Sequence, residues 1–223
     1  MSLLPHLTRY THSAEQPVTG SAIWLHGLGA SGHDFEPLVP ELGIKANVRF
    51  IFPHAPNQPV TINMGMVMPS WYDIYSLGEI REVNQAQVAD SVQAIRALIE
   101  HEHAQGVPYE NIVLAGFSQG GAIALQTALH FEHQLAGVMA LSTYIFDPDR
   151  VPAALDSANR ETSFLVQHGT EDPVVPFSLG KRSQIALKRA GYKVEWQSFA
   201  MQHEVCFAQL REIAVWMQAR WQA

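Results

Sequence analysis

Residues 112–121 read IVLAGFSQGG, an apolar run that ends in a Gly-x-Ser-x-Gly motif. The run predicts a buried strand, and the helix-forming residues after the motif predict a helix. Ser118 then lies on a sharp turn between the two, where strand and helix approach closely only if Gly116 and Gly120 carry no side chain. The N-terminus of such a helix favours negative charge beside the serine hydroxyl. The motif alone leaves two interpretations open, a nucleophile or an incidental serine in a glycine-rich turn.

Strands and helices alternate along most of the chain. Strands are predicted at 6–10, 21–25, 48–52, 112–115, 135–142, 163–167 and 192–198, and helices at 84–103, 122–129, 177–190 and 204–222. Several of the strands are apolar on both faces, which predicts an α/β fold with a mostly parallel central sheet and helices on both faces. The chain of 223 residues suits a single domain over 1–223. A long irregular segment is expected at 55–78, and loops of this length are usually functional.

Composition restricts the classes of partner. The formal net charge is -7, with scattered acidic residues and no basic run, which argues against nucleic acid as a partner. No apolar run approaches the roughly 18 residues of a membrane span, and the N-terminus lacks a signal-peptide pattern, so we expect no stable membrane insertion. Cys206 is the single cysteine, so no internal disulfide forms, and we expect a cytoplasmic protein.

A serine nucleophile needs a base, usually a neutral histidine that a carboxylate orients. In open α/β hydrolases the chain order is nucleophile, acid, histidine. Asp172 follows a late predicted strand, and His203 follows the last one. Of the 11 histidines, His203 is the one between the last strand and the last helix. Glu171 is the competing acid, and we favour Asp172 because Pro173 stiffens its loop.

The negatively charged oxygen of a tetrahedral intermediate needs hydrogen-bond donors. We expect the backbone N–H of Gln119, directly after Ser118, and that of Leu28, in a glycine-dense loop after an early strand. His26 in that loop is interpreted as a residue that shapes the loop. No metal site is expected, because His101 and His103 point to different faces of their predicted helix.

Short motifs occur in order along nearly the whole chain. They are LHGLG (25–29), FPHAP (52–56), WYD (71–73), GFSQGG (116–121), HG (168–169) with DPVVP (172–176), and HEV (203–205). Together they resemble the phospholipase/carboxylesterase family of α/β hydrolases, which includes acyl-protein thioesterases and small carboxylesterases. The resemblance implies an α/β-hydrolase fold without a large cap domain and a serine esterase that needs no cofactor. It also implies Ser118, Asp172 and His203 as catalytic triad, with Leu28 and Gln119 as oxyanion donors.

The resemblance also implies only short loops over the site, and these bear on the substrate. Residues from them are expected to line an acyl groove, unless most of them belong to the core: Met66, Met68, Trp71, Tyr144, Ile145 and Val175. Gln202 departs from the family, in which the residue before the histidine is often glycine. A larger side chain there is expected to alter the histidine loop or to narrow the entrance, and it leaves the substrate size open.

The sequence therefore predicts a serine carboxylesterase that hydrolyses short- to medium-chain carboxylic esters through an acyl-enzyme. The alternative is an acyl-protein thioesterase or lysophospholipase that acts on longer acyl chains, and a more remote one is an inactive binding module. The expected partner is a small-molecule or lipid ester. The apolar segment 62–68 is compatible with a homodimer.

Overall fold

The computed structural model describes residues 3–78 and 81–221. Its strands and helices follow in chain order: β1 (His6–Tyr10), β2 (Gly20–Leu25), β3 (Val48–Pro53), β4 (Asn57–Val60), β5 (Met66–Pro69), α1 (Gln85–Ala104), β6 (Ile112–Phe117), α2 (Gln119–Leu129), β7 (Gly137–Leu141), β8 (Ser163–Gly169), α3 (Phe177–Arg189), β9 (Lys193–Phe199) and α4 (Phe207–Gln218). Three short 3-10 turns, Gly32–Asp34, Glu36–Leu38 and Pro40–Leu42, connect β2 to β3.

Seven strands form one sheet in the order β1-β3-β2-β6-β7-β8-β9. Every neighbouring pair is parallel except β1 and β3, which pair antiparallel at the edge. The predicted mostly parallel sheet is therefore confirmed. Because β6 lies between β2 and β7, the residues that follow these three strands meet at one edge of the sheet.

Alternate residues of the central strands face opposite sides of the sheet, as the period of a strand requires. Ile23 and Leu25 of β2 pack with residues of α1, α2 and α3 in one apolar cluster. Ala22 and Trp24 pack on the other face, with α4 and the 3-10 turns between β2 and β3. Helices thus cover both faces, and the covered strands account for the apolar runs in the sequence.

Two segments differ from the expectation. Residues 55–78 are not wholly irregular, because β4 and β5 pair as an antiparallel hairpin. The hairpin turns through Met64 and Gly65, both of which have positive φ angles (56° and 74°). Helix α4 begins at Phe207 rather than at 204, because residues 203–205 form part of a loop and the Cys206 thiol caps the helix by accepting the Gln209 N–H. The predicted end at 222 lies outside the described residues.

None of the helices in residues 3–78 and 81–221 combines the length and the apolar composition that crossing a bilayer needs.

The packing of β2 generates a stability prediction. Ile23 is fully buried in the centre of the sheet, where it pairs with Ile51 on one side and Leu114 on the other. Ile23→Ala should lower the free energy of unfolding by about 2–5 kcal/mol, through lost burial and the cavity left behind. Urea denaturation measures the change. Val215→Ala, at a residue of α4 that is 70% exposed, is the matched control and should shift it by less than about 0.5 kcal/mol. Equal effects of the two substitutions would contradict this packing.

Candidate active site

Ser118 occupies a strained turn between β6 and α2. Its backbone has φ 54° and ψ -121°, a conformation that a residue with a side chain adopts only when its surroundings impose it. The Ser118 N–H donates to the carbonyl of Leu141 at 2.9 Å, and its carbonyl accepts from the Thr143 hydroxyl at 2.6 Å. The neighbouring strand β7 and the loop after it therefore hold the turn in place.

Gly116 and Gly120 allow the turn to close. A Cβ on Gly116 would lie 2.3 Å from the carbonyl oxygen of Gly120, and one on Gly120 would lie 2.4 Å from the carbonyl oxygen of His26. Both distances are much shorter than a van der Waals contact, and the atoms concerned belong to the backbone, so a side chain at either position would require the backbone to shift. The close approach that the motif predicts is therefore present, and it involves the loop after β2 as well as the strand and the helix.

Three side chains from distant loops meet at this turn. His203 Nε2 lies 2.9 Å from Ser118 Oγ, and His203 Nδ1 lies 2.7 Å from Asp172 Oδ2. Asp172 follows β8 and His203 follows β9, so both loops reach back across the edge of the sheet toward β6. The structure thus brings the three predicted triad residues into one hydrogen-bonded chain. Such a chain can move a proton from the hydroxyl to the imidazole.

The Asp172 carboxylate is buried and fully engaged. Its Oδ1 accepts the backbone N–H groups of Val174 at 2.9 Å and Val175 at 2.8 Å. Burial alone raises the pKa of Asp172, but the hydrogen bonds from His203 and from the two amides outweigh it, and the pKa lies below the ordinary value. The competing acid Glu171 is exposed on the same loop, where its N–H donates to the carbonyl of Met201. The geometry thus favours Asp172 over Glu171 as the partner of His203.

A second histidine, His168, lies beneath the acid. It is fully buried, its Nε2 is 2.8 Å from the carbonyl oxygen of Val175, and the same nitrogen is 3.5 Å from Asp172 Oδ2. Burial lowers the pKa of His168, which keeps the ring neutral. The ring fits because Gly180 of α3 has no side chain; a Cβ there would lie 2.1 Å from His168 Nδ1. His168 therefore supports the acid loop from below, in agreement with its position at the end of a strand.

The two predicted oxyanion donors lie on either side of the Ser118 turn. Gln119 is the first residue of α2, so its N–H has no partner within the helix. In the loop after β2, the N–H groups of Gly29 and Ala30 donate to the carbonyls of Pro69 and Gly27. The N–H of Leu28 makes no hydrogen bond to any residue in 3–78 or 81–221. Both predicted donors are therefore available to a ligand.

The loop that carries Leu28 is held by His26. The Ala55 N–H donates to His26 Nε2 at 3.1 Å, so His26 Nδ1 carries the proton and donates to the carbonyl of Gly27 at 2.7 Å. The Trp71 indole N–H donates to the carbonyl of His26 at 2.8 Å. His26 thus shapes the loop, and Trp71 supports it from the core.

A cavity of about 680 Å³ opens beside Ser118. Its apolar lining continues the two core clusters: Phe35, Leu38, Phe117 and Val205 belong to one, and Leu28, Ile62, Ile74 and Tyr144 belong to the other. The exposed residues Leu77 and Val174 extend the second side. The polar residues of the lining are Asp34, Asn63, Arg81, Gln119, Glu204 and the pair Ser118 and His203. An apolar chain joined to a reacting carbonyl fits such a cavity.

The lining corrects the expected acyl groove. Of the six predicted residues, only Tyr144 lines this cavity. Trp71 and Val175 are 1% exposed and belong to the core, whereas Ile145 lines a separate cavity. Met66 and Met68 lie on the hairpin strand β5 and do not border the cavity.

Other residues of the lining carried no signal in the sequence. Ile62, Ile74 and Leu77 lie in the long segment 55–78, which the sequence marks as functional, but that segment has no regular period that would single out these three residues, and Arg81 lies beyond it. Gln202 is exposed and lies outside the lining, so it does not narrow the cavity.

Within the described ranges, 3–78 and 81–221, no group of three or more histidine, cysteine, aspartate or glutamate residues is arranged to hold a metal ion.

The fold and the geometry at Ser118 are those of a serine hydrolase of the α/β-hydrolase class, because Ser118, Asp172 and His203 follow β6, β8 and β9 at one sheet edge, in the chain order serine, acid, histidine. The phospholipase/carboxylesterase family model matches residues 8–220, and the chain belongs to this family of serine hydrolases.

Known relatives span nearly the whole chain. Acyl-protein thioesterase 1 of Yarrowia lipolytica is 37% identical over 208 residues, which cover 90% of this chain and 91% of the relative. Acyl-protein thioesterase 1 of Cryptococcus neoformans is 34% identical over 223 residues, which cover 92% and 94%. The crystal structure of Arabidopsis thaliana SOBER1 superposes with a TM-score of 0.84 at 31% identity and covers 92% of this chain and 100% of its own.

The lowered pKa of Asp172 predicts a pH dependence of stability. A carboxylate with a lowered native pKa stabilises the fold fully above its pKa in the unfolded chain, 3.8, and this stabilisation is lost as the pH falls through the native pKa. The difference in free energy of unfolding between the wild type and Asp172→Asn should therefore stay nearly constant from about pH 7 to about pH 5 and shrink as the pH falls further, through 3.8 toward the native pKa. Urea denaturation at each pH measures it.

Glu171→Gln is the control for this experiment, because it removes a carboxylate from the same loop without removing a buried contact. Its difference from the wild type should be small throughout. A difference for Asp172→Asn that stays constant or grows toward low pH would contradict the described environment of Asp172.

Proposed function

We propose that this protein is an acyl thioesterase that removes medium- to long-chain acyl groups from thiols, including cysteine side chains of acylated proteins. Ser118 is the nucleophile, His203 the general base and acid, and Asp172 the residue that orients the imidazole. The single observation that carries the proposal is the apolar cavity beside a serine that is hydrogen bonded to a histidine. The names of the curated relatives favour this function over the short-chain carboxylesterase expected from the sequence.

The reaction proceeds in two halves. Ser118 Oγ attacks the thioester carbonyl carbon while His203 Nε2 takes the hydroxyl proton, and the N–H groups of Leu28 and Gln119 stabilise the resulting oxyanion. The carbon–sulfur bond then breaks, the proton on His203 passes to the departing sulfur, and Ser118 is left acylated. Water, deprotonated by His203, attacks the acyl-enzyme, and the proton returns to Ser118 as the carboxylic acid leaves.

The chemistry of the leaving group also bears on the substrate. A thiol with a pKa near about 8.5 leaves more easily than an alcohol, so a thioester demands less of the acid step at His203. Oxygen esters pass through the same tetrahedral intermediate and remain substrates. Carboxylesterase activity is therefore the second candidate function, and both depend on the same three residues.

Further expectations accompany the proposed function. The family match over 8–220 supports one catalytic domain. A single cysteine is typical of a protein that works in a reducing compartment, which supports a cytoplasmic location. Met64, Met66 and Val67 on the hairpin are 60–94% exposed, which is compatible with the homodimer expected from the sequence.

Ser118→Ala tests the nucleophile. Removal of the hydroxyl should lower kcat for p-nitrophenyl octanoate by a factor on the order of 10⁴ or more, because no acyl-enzyme forms. A fluorophosphonate probe should label the wild type and leave Ser118→Ala unlabelled. Ser178→Ala, at an exposed serine of α3, is the matched control and should retain both activity and labelling. Substantial turnover by Ser118→Ala would refute the assignment of the nucleophile.

A pair of substrates with the same acyl chain tests the preference for thioesters. We expect kcat/KM for an S-octanoyl thiol to equal or exceed that for the corresponding alkyl oxygen ester, and a peptide with one S-palmitoyl cysteine to be deacylated. Mass spectrometry of the peptide and a thiol-reactive dye report the two reactions. If the alkyl oxygen ester is hydrolysed at least tenfold faster than the thioester, the carboxylesterase function is the correct one.

A further inference from the structure

Arg81 is an unusual component of the cavity beside Ser118. The residue is 9% exposed, yet its guanidinium borders the cavity among apolar side chains. Its Nη2 donates to the carbonyl of Val174 at 2.6 Å, and its Cζ lies 4.9 Å from the centre of the Tyr144 ring. Within the described residues its Nε is buried without a hydrogen-bond partner. A cation is thus held in a fixed place by one carbonyl and one aromatic face.

The same side chain borders two further cavities. A cavity of about 480 Å³ lies beyond it and is lined by Leu129, Ile145, Phe146 and Val151 together with charged residues. A small cavity between the two is lined by Arg81, Tyr144, Ile145 and Phe146. Arg81 therefore stands at the boundary between the cavity beside Ser118 and the space behind it.

The two sides of the catalytic cavity differ in their polar groups. Part of the lining carries the exposed carboxylates of Asp34, in the loop after β2, and Glu204, in the loop after β9, which suit a polar leaving group. Ile74, Tyr144 and Val174 form an apolar part of the lining, and Arg81 contacts two of these residues, Tyr144 and Val174. An acyl chain gains most by occupying the apolar side, since each buried methylene raises affinity about fourfold.

The gain in affinity from each added methylene ends where the acyl chain reaches Arg81. A methylene placed against the guanidinium removes the small solvent access that Arg81 keeps on the cavity side and offers no hydrogen bond in return. Displacement of the side chain would also break its hydrogen bond to Val174, whose N–H helps to hold Asp172. Both effects penalise a longer chain.

We propose that Arg81 is a specificity-determining residue that closes the acyl side of the cavity and sets the upper limit of acyl-chain length. This inference rests on the proposed function of the same site. In the wild type, kcat/KM rises with chain length until the chain reaches Arg81 and then levels off or falls. Without the guanidinium, the acyl side connects to the space lined by Ile145 and Phe146.

A chain-length series tests the role of Arg81. The ratio of kcat/KM for p-nitrophenyl palmitate to that for p-nitrophenyl butyrate should rise about tenfold or more in Arg81→Ala, because two or more added methylenes become buried. A looser Asp172 loop would lower kcat/KM for both substrates by the same factor, so the ratio is unaffected by such a general loss of activity. Arg81→Met, which keeps most of the length and loses the charge, should raise the ratio in the same direction and serves if Arg81→Ala does not fold.

The matched control is Arg182→Ala, which removes an arginine that lines the cavity behind Arg81 but not the one beside Ser118. Its ratio should equal that of the wild type. An unchanged or lower palmitate-to-butyrate ratio in both Arg81 variants overturns the proposal. The proposal is also overturned if the Arg81 variants change kcat/KM only among substrates that share one acyl chain and differ in the leaving group. Either result leaves the function of Ser118 intact, since that is measured on the wild type and Ser118→Ala.

Discussion

The close approach of three backbone segments at Gly116 and Gly120 is the constraint on which the site depends. The carbonyl of His26, the end of β6 and the first turn of α2 lie so near one another that no Cβ fits between them. This contact accompanies the positive φ of Ser118, whose hydroxyl lies within hydrogen-bond distance of His203 Nε2. It also fixes the distance between the Leu28 loop and the Gln119 N–H. One close packing contact therefore positions Ser118, the proposed nucleophile, together with the two proposed oxyanion donors.

The order of the strands in the sheet brings the loops with Asp172 and His203 to the Ser118 turn. Because β6 lies at the centre, with β2 on one side and β7, β8 and β9 on the other, the loops with the acid and the histidine approach Ser118 from the same direction. The His203 loop has to cross the ends of β8 and β7 to reach it. The N–H groups of Val174 and Val175 hold the Asp172 carboxylate, and His168 supports the same loop, so the hydrogen-bonded chain from Asp172 to the Ser118 hydroxyl has little freedom.

The sequence predicted the parts of the molecule that a strict geometry demands. Strand ends, a glycine-flanked serine and the order of acid and histidine leave few alternatives, so the sequence singled out Ser118, Asp172 and His203, and the structure brings these three side chains within hydrogen-bond distance of one another. The lining of the cavity obeys no comparable rule. The sequence pattern of an apolar loop residue is the same whether the side chain faces a ligand or the core. For this reason Trp71 and Val175 were assigned to the acyl groove although they lie in the core, and Ile74 was not assigned to it although it lines the cavity. The hairpin of β4 and β5 was missed because its strands are short and contain Pro59 and Pro69.

Gln119 has a second role that limits how this site can change during evolution. Its side-chain oxygen accepts the backbone N–H of Trp71 at 2.8 Å, and its side-chain NH₂ donates to the carbonyl of Tyr72 at 2.6 Å. The residue whose backbone N–H is the proposed oxyanion donor is therefore also bonded to the segment that leads into the cavity wall. A change in the backbone of residues 70–72 would displace Gln119 and so alter the position of its N–H relative to the reacting carbonyl. Paralogues that acquire new substrates are therefore expected to diverge in the outer loops while this inner connection stays the same.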